Sequence, residues 1–331
     1  MILLNPLALI LSVGLFAAAM AAAFVLGARV STARRDELDR VTADAVPPPT
    51  GLAGDLDAAI VRGQLFLVHQ PKSHARDNSI ESVETLVRWR HPDRGLIGPN
   101  DFIRLAEERG EIRRITEWVV IRTLAEQRSL AACGHLLTFH INISAHLLGD
   151  RDFAQWLLDT LRGAAGPIGL EITETAMIHD PVGALANLHL FADAGLHIAI
   201  DDYGAGLSSL AYLKQLPAHE LKIDRLFIQS LSTSHRDPLL VRSTIDLAHA
   251  LGMKVTAEGV DSASAMALLR VMGCDMIQGY LIAKPMPLGE LRAFLDMRDE
   301  SDGSAPGAID VPWSTTSSAL GGASRKTGGQ G

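Results

Sequence analysis

Eight short apolar runs, each leading into a less regular or helically periodic stretch, limit what this chain can fold into. The runs are Leu65–Pro71, Ser82–Trp89, Leu137–Ser144, Ile168–Thr175, His197–Tyr203, Glu220–Phe227, Lys254–Val260 and Met276–Ala283. Between them Thr116–Ala132, Pro181–Ala194, Pro238–Leu251 and Ala263–Met272 carry apolar residues at helical spacing. Gly195, Gly252 and Gly273 stand where a helix should stop before the next strand. Eight alternations in about 240 residues favour an α/β fold, a (β/α)8 barrel of TIM type, over an open parallel sheet. Periodicity by itself does not separate the two.

The chain has 331 residues, 47% apolar and 21% charged, so most of it can bury a core. A formal net charge of −8 argues against a nucleic-acid polymer as partner, but a small phosphate ligand needs only a local positive site. Cys133 and Cys274 have neither metal-ligand spacing nor a disulfide framework, and both are read as buried, reduced residues.

The amino terminus differs from the rest. Met1–Ala28 contains no Asp, Glu, Lys, Arg or His. As a helix, Leu7–Ala28 would measure about 33 Å, enough for a bilayer core of about 30 Å. Arg29, Arg34, Arg35 and Arg40 follow, and no basic side chain precedes. The expectation is a single-pass anchor over 1–28 in the inner membrane, with the remaining chain in the cytoplasm. A cleaved signal peptide fits less well, because it wants a basic start and a shorter apolar core. Residues 29–55, with Pro47–Pro49, read as a juxtamembrane linker, 56–297 as the barrel, and the Gly-, Ser- and Thr-rich 298–331 as a disordered tail.

A barrel places chemistry at the carboxy ends of its strands. Glu84, Asn142, Glu171, Asp201, Lys222, Glu258 and Gln278 recur there, about one per βα unit after the first gap. Asp202 follows Asp201 directly, Glu174 follows Glu171 in GLEITET, and Asp224 follows Lys222 in LKIDR. Adjacent carboxylates at the end of a buried strand repel each other and lose hydration, which a divalent cation relieves. Glu84, Asn142, Glu171, Asp201 and Asp202 are oxygen donors, a set suited to Mg²⁺ or Mn²⁺ over zinc or copper. Four carboxylates at one mouth can neutralise two cations, the arrangement that clamps a phosphoester. Lys222 offers positive charge to a phosphate oxygen, Glu258 is a candidate general base, and Arg88 can hold a second phosphate bidentately. His91, His140 and His197 are read as packing or surface residues.

With these residues in view, the chain resembles the EAL-domain family of cyclic di-GMP phosphodiesterases over about Leu56–Leu295. The motifs are HQP at His69–Pro71, ETLVRWRHP at Glu84–Pro92, GPNDFIRLAEERG at Gly98–Gly110, NIS at Asn142–Ser144 and LEITET at Leu170–Thr175. DDYGAGLSSLAYL at Asp201–Leu213, LKIDR at Leu221–Arg225, AEGV at Ala257–Val260 and QGY at Gln278–Tyr280 complete the series. The resemblance implies a barrel whose first strand runs antiparallel, a homodimer, and a two-metal site hydrolysing cyclic di-GMP to linear pGpG. It implies that Glu84, Asn142, Glu171 and Asp201 hold one cation and that Asp201 and Asp202 hold or bridge to a second. Lys222 and Glu258 would position and deprotonate water, Glu174 would brace the loop after Asp202, and Gln278 would support the site. Gln70, Leu86 and Arg88 would contact the dinucleotide, with Asp224 placed in the same substrate-binding set. Tyr203, Ala205 and Leu207 depart from the usual DDFGTGYSSL, Thr85 from the usual middle Ala, and Asp261 from the usual Glu. These changes bear on rate and regulation, and a catalytically weak cyclic di-GMP receptor is the alternative expectation.

Overall fold

The computed structural model describes residues 52–173, 180–204 and 213–303. Among them nine strands form one sheet: β1 Leu65–His74, β2 Ile80–His91, β3 Gly95–Ile97, β4 Thr138–Asn142, β5 Ile168–Thr173, β6 His197–Tyr203, β7 Glu220–Ile223, β8 Lys254–Ala257 and β9 Met276–Gln278. The helices are α1 Leu52–Val61, α2 Pro99–Glu108, α3 Ile112–Ala131, α4 Ala145–Leu148, α5 Arg151–Leu161, α6 Pro181–Asp193, α7 Arg225–Gln229, α8 Asp237–Ala250, α9 Ala263–Val271 and α10 Leu288–Gly303. From β2 through β4 to β9 each strand lies parallel to the next. β1 pairs antiparallel with both β2 and β9 and closes the ring, while β3 is a hairpin strand on β2 outside it. The result is an eight-stranded barrel, which the strand pattern favours, with its first strand reversed, as the resemblance implies.

Strand alternation sorts the side chains. Phe139, Ile141, Leu170, Ile172, Ile198, Ile200, Leu221 and Val255 are buried on the outer wall, each worth about 1.5–3 kcal/mol of burial. The helices supply the facing apolar stripes. α3 buries Ile112, Ile115, Val119, Leu124 and Leu130 at helical spacing, and α6 buries Ala184, Leu188 and Phe191. Polar caps start the helices: Asp150 Oδ1 accepts from the amides of Asp152 and Phe153, and Ser262 Oγ from that of Ala265. Gly252 follows α8 at φ 78°, the left-handed backbone that ends the helix before β8.

Three expectations need correction or extension. α1 begins at Leu52, inside the stretch read as linker, because Leu52, Leu56 and Ala59 form a short buried stripe. α10 continues to Gly303, past the expected end of the barrel at 297. Cys274 is buried as expected, but Cys133 is exposed, since it lies beyond the last turn of α3 in the surface turn around Gly134. The described residues fall into two units, those up to Arg292, which include the barrel, and those from Ala293 onward. No helix among the described residues is long and apolar enough to cross a membrane. The expected anchor at 1–28, the linker up to Gly51 and the tail beyond Gly303 lie outside the described residues.

Candidate active site

Many inward-facing side chains of this barrel are polar or charged, where branched apolar layers would be ordinary. Glu220 and Lys222 alternate inward on β7, while Leu221 and Ile223 point out. Lys222, fully buried, is the hub. Its Nζ stands 2.6 Å from Glu171 Oε2, 2.6 Å from Glu258 Oε1, 3.1 Å from Asp201 Oδ1 and 3.6 Å from Glu84 Oε2. Burial alone would lower its pKa, yet Asp201, Glu171, Glu258 and Glu84 hold it well above the ordinary lysine value. Glu171 lies well below the usual carboxylate range, because Lys222 and Lys72 outweigh its burial.

The other carboxylates are left short of positive charge. Burial pushes Asp201 up to about 7; Lys222 opposes, while Glu171, Glu84 and Asp202 push further. Glu258 is also raised well above its ordinary value, by burial first, against the pull of Lys222. Oxygens of Asp201, Asp202 and Glu258 lie within 4.8 Å of one another. This all-oxygen set, under-neutralised by one ammonium, fits a hard divalent cation. Adjacent strand residues ordinarily face opposite ways. Here the β6–β7 register shifts between Ile200 and Tyr203, and Asp202 takes a left-handed φ of 55°. Its amide donates to Asp201 Oδ1 at 2.9 Å. The bulge therefore brings neighbouring carboxylates to one mouth.

Glu84, Leu86 and Arg88 share one face of β2. Glu84 accepts from Asn142 Nδ2 at 2.9 Å and from Gln278 Nε2 at 2.6 Å. Gln278 Nε2 also reaches Gln70 Oε1 at 3.2 Å, and Gln70 Nε2 donates to the Ala283 carbonyl at 3.1 Å. Arg88 and Leu86 are half-buried, with Arg88 Nη1 on the carbonyl of Val87. Asp224 caps α7, its Oδ1 accepting from the Leu226 amide at 2.7 Å. Glu174, Ala205 and Leu207 lie outside the described residues. Thus Glu84, Asn142, Glu171, Asp201, Asp202, Lys222, Glu258, Gln278 and Gln70 converge through contacts, while Asp224 engages a helix end.

Sequence reading missed a lower tier of charges. Lys72 Nζ donates to Glu171 Oε1 at 2.7 Å and Glu220 Oε1 at 3.0 Å, and lies 3.3 Å from His140 Nδ1. Thr256 Oγ1 donates to Glu220 Oε1 at 2.6 Å. Lys72 directly follows the run Leu65–Pro71 and Glu220 opens the run Glu220–Phe227, where strand alternation was the one available signal.

A closed barrel with carboxylates and a buried lysine at the carboxy mouth is an arrangement able to hold divalent cations against a phosphate ester. Residues 53–285 match the EAL domain, and the chain belongs to that family. It is 39% identical over 249 residues to the cyclic di-GMP phosphodiesterase NbdA of Pseudomonas aeruginosa, covering 73% of this chain and 31% of that protein. It is 37% identical over 239 residues to the cyclic di-GMP phosphodiesterase PdeR of Escherichia coli, covering 70% and 36%. A solved structure described as the PaMucR phosphodiesterase, c-di-GMP complex, superposes with a TM-score of 0.68 at 37% identity, covering 72% of this chain and 99% of that one. The chain spans about a third of the length of the curated relatives NbdA and PdeR.

Proposed function

We propose that this chain hydrolyses one 3′–5′ phosphodiester of cyclic di-GMP to give linear pGpG. The observation that carries this reading is the ring of Glu84, Glu171, Asp201 and Glu258 around the buried Lys222. Similarity to relatives named cyclic di-GMP phosphodiesterases supports the substrate.

Glu84, Asn142, Glu171 and Asp201 would hold one Mg²⁺ or Mn²⁺, and Asp201 with Asp202 a second. Such ions, when bound, neutralise the phosphodiester and lower the pKa of water. The protein's own groups do the rest. Glu258, in reach of Lys222, takes the proton of the attacking water. Lys222 supplies fixed positive charge where a phosphate oxygen gains negative charge, at no reorganisation cost. The water oxygen joins phosphorus, the bond to the 3′-oxygen breaks, and that oxygen takes a proton from solvent while Glu258 returns its own to solvent. Gln278 holds Glu84 in place, and by the resemblance Glu174 would brace the loop beyond Asp202. Gln70, Leu86 and Arg88, with Asp224 at the α7 end, orient the dinucleotide. We further propose a homodimer through the barrel and an inner-membrane anchor at residues 1–28 that leaves the barrel in the cytoplasm.

The test is the full chain in detergent with cyclic di-GMP and Mg²⁺ or Mn²⁺, beside Glu84→Ala, with pGpG followed by chromatography. Product from the parent alone is expected. Equal turnover in Glu84→Ala overturns the metal assignment, and tight binding without product makes the chain a receptor.

A further inference from the structure

The opposite, amino-terminal mouth of the barrel holds a second cluster. A cavity of about 110 Å³ is lined by Ser82, Thr138, His140, His197, Glu220 and Lys254, among others, mostly from strand starts. Into this end project three ligand-type atoms within 4.8 Å of one another, from His140, His197 and Glu220. We propose that these three residues bind a zinc-class divalent cation at a site separate from the carboxylate centre.

The hydrogen bonding at this end leaves two ring nitrogens and a carboxylate oxygen facing one another without a bond between them. Glu220 Oε1 is taken by Lys72 and Thr256, at 3.0 and 2.6 Å. Its Oε2 stands 3.7 Å from His197 Nδ1 and 4.0 Å from His140 Nε2, too far for hydrogen bonds. His197 Nδ1 is inaccessible and has no hydrogen-bond partner among the described residues. A buried polar atom of this kind calls for a partner. His140 Nδ1 lies 3.2 Å from Glu171 Oε1. With the proton on that nitrogen, which Lys72 Nζ also approaches to 3.3 Å, the Nε2 lone pair is turned to Glu220, the carboxylate–histidine arrangement that orients metal-binding imidazoles.

The pocket is also shaped for the rings. A Cβ on Gly169 would come within 2.6 Å of His140 Nδ1, so glycine there makes room for the imidazole. His197 meets the His140 ring edge-on at 5.4 Å and stacks on His219 at 5.2 Å. Ligand atoms about 2.0–2.1 Å from a tetrahedral zinc stand about 3.3 Å apart, so atoms that now lie within 4.8 Å of one another close by at most about 1.5 Å. Two imidazoles and one carboxylate with an open fourth position suit zinc, whereas the upper mouth offers carboxylate and amide oxygens that suit magnesium. Two sites of different donor chemistry would thus share one barrel.

The experiment uses the metal-stripped full chain in excess Mg²⁺, titrated with Zn²⁺ against a chromophoric chelator. One tight zinc equivalent is expected in the parent and in Asp202→Asn. His197→Ala should weaken it beyond the about 10–100-fold typical of losing an outer-sphere partner. His197→Gln, which keeps a polar side chain, should do the same, and thermal unfolding of both metal-free variants checks their folding. Co²⁺ should give intense tetrahedral visible bands that vanish in His197→Ala. No tight zinc in the parent, unchanged zinc in both His197 variants, or its loss in Asp202→Asn alone overturns the proposal. None of these readouts depends on turnover, so failure here is distinct from failure of the phosphodiesterase reading.

Discussion

Lys222 is the residue on which the upper mouth turns. Four carboxylates within 3.6 Å of its ammonium make it far more than a solvated strand-end lysine. Lys222→Met should lower kcat by about 10²–10³, the range for loss of one preorganised charge-stabilising donor. Quench-flow or steady-state assay of pGpG release, with circular dichroism as folding control, checks this. The sequence made Asp201 and Glu258 legible because each stands near the end of an apolar run, and Lys222 because it recurs in step with them, one polar residue per βα unit. It did not make Lys72, His140 or Glu220 legible, because a charge inside a barrel lumen looks in one dimension like an interruption of a strand. Cys133 misled for a related reason: an apolar residue past a helix end has no periodicity to place it.

At the scale of elements, the alternation of runs and amphipathic stretches located every barrel strand, and the resemblance supplied the reversal of β1. The β6 bulge was not legible. Two adjacent aspartates predict opposite faces on a regular strand, and only the left-handed turn at Asp202 unites them. The end of β9 shows a similar local demand. A Cβ on Gly279 would fall on the backbone of Val260, whose amide donates to the Gln278 carbonyl at 3.1 Å and whose carbonyl accepts from Leu281 at 3.0 Å. Gly279→Ala should therefore cost about 1–3 kcal/mol through overpacking and displace Gln278 from Glu84. A urea midpoint lowered without a change in slope, together with reduced turnover, is the expected result.

For the whole molecule, charge in the lumen ties stability to pH. Asp201 keeps its proton up to about 7 in the fold, against an ordinary value of 3.8. The folded state thus binds the extra proton between those values. Its contribution is full below about 3.8 and is lost as pH rises through 7. The metal-free chain should lose thermal stability from pH 5 to pH 8, Asp201→Asn should flatten that slope, and Mg²⁺ should restore stability at the alkaline end. Scanning calorimetry at the two pH values decides it. The column of lumen charges also governs the order of assembly. Lys72 from β1 finds Glu171 and Glu220 only across 99 and 148 residues of chain. Until the last strands close on β1, that ammonium is either hydrated or buried without its counter-ions, and the second state is costly. A half-barrel leaves these pairings unmade, and pairings so distant in sequence are expected to slow folding.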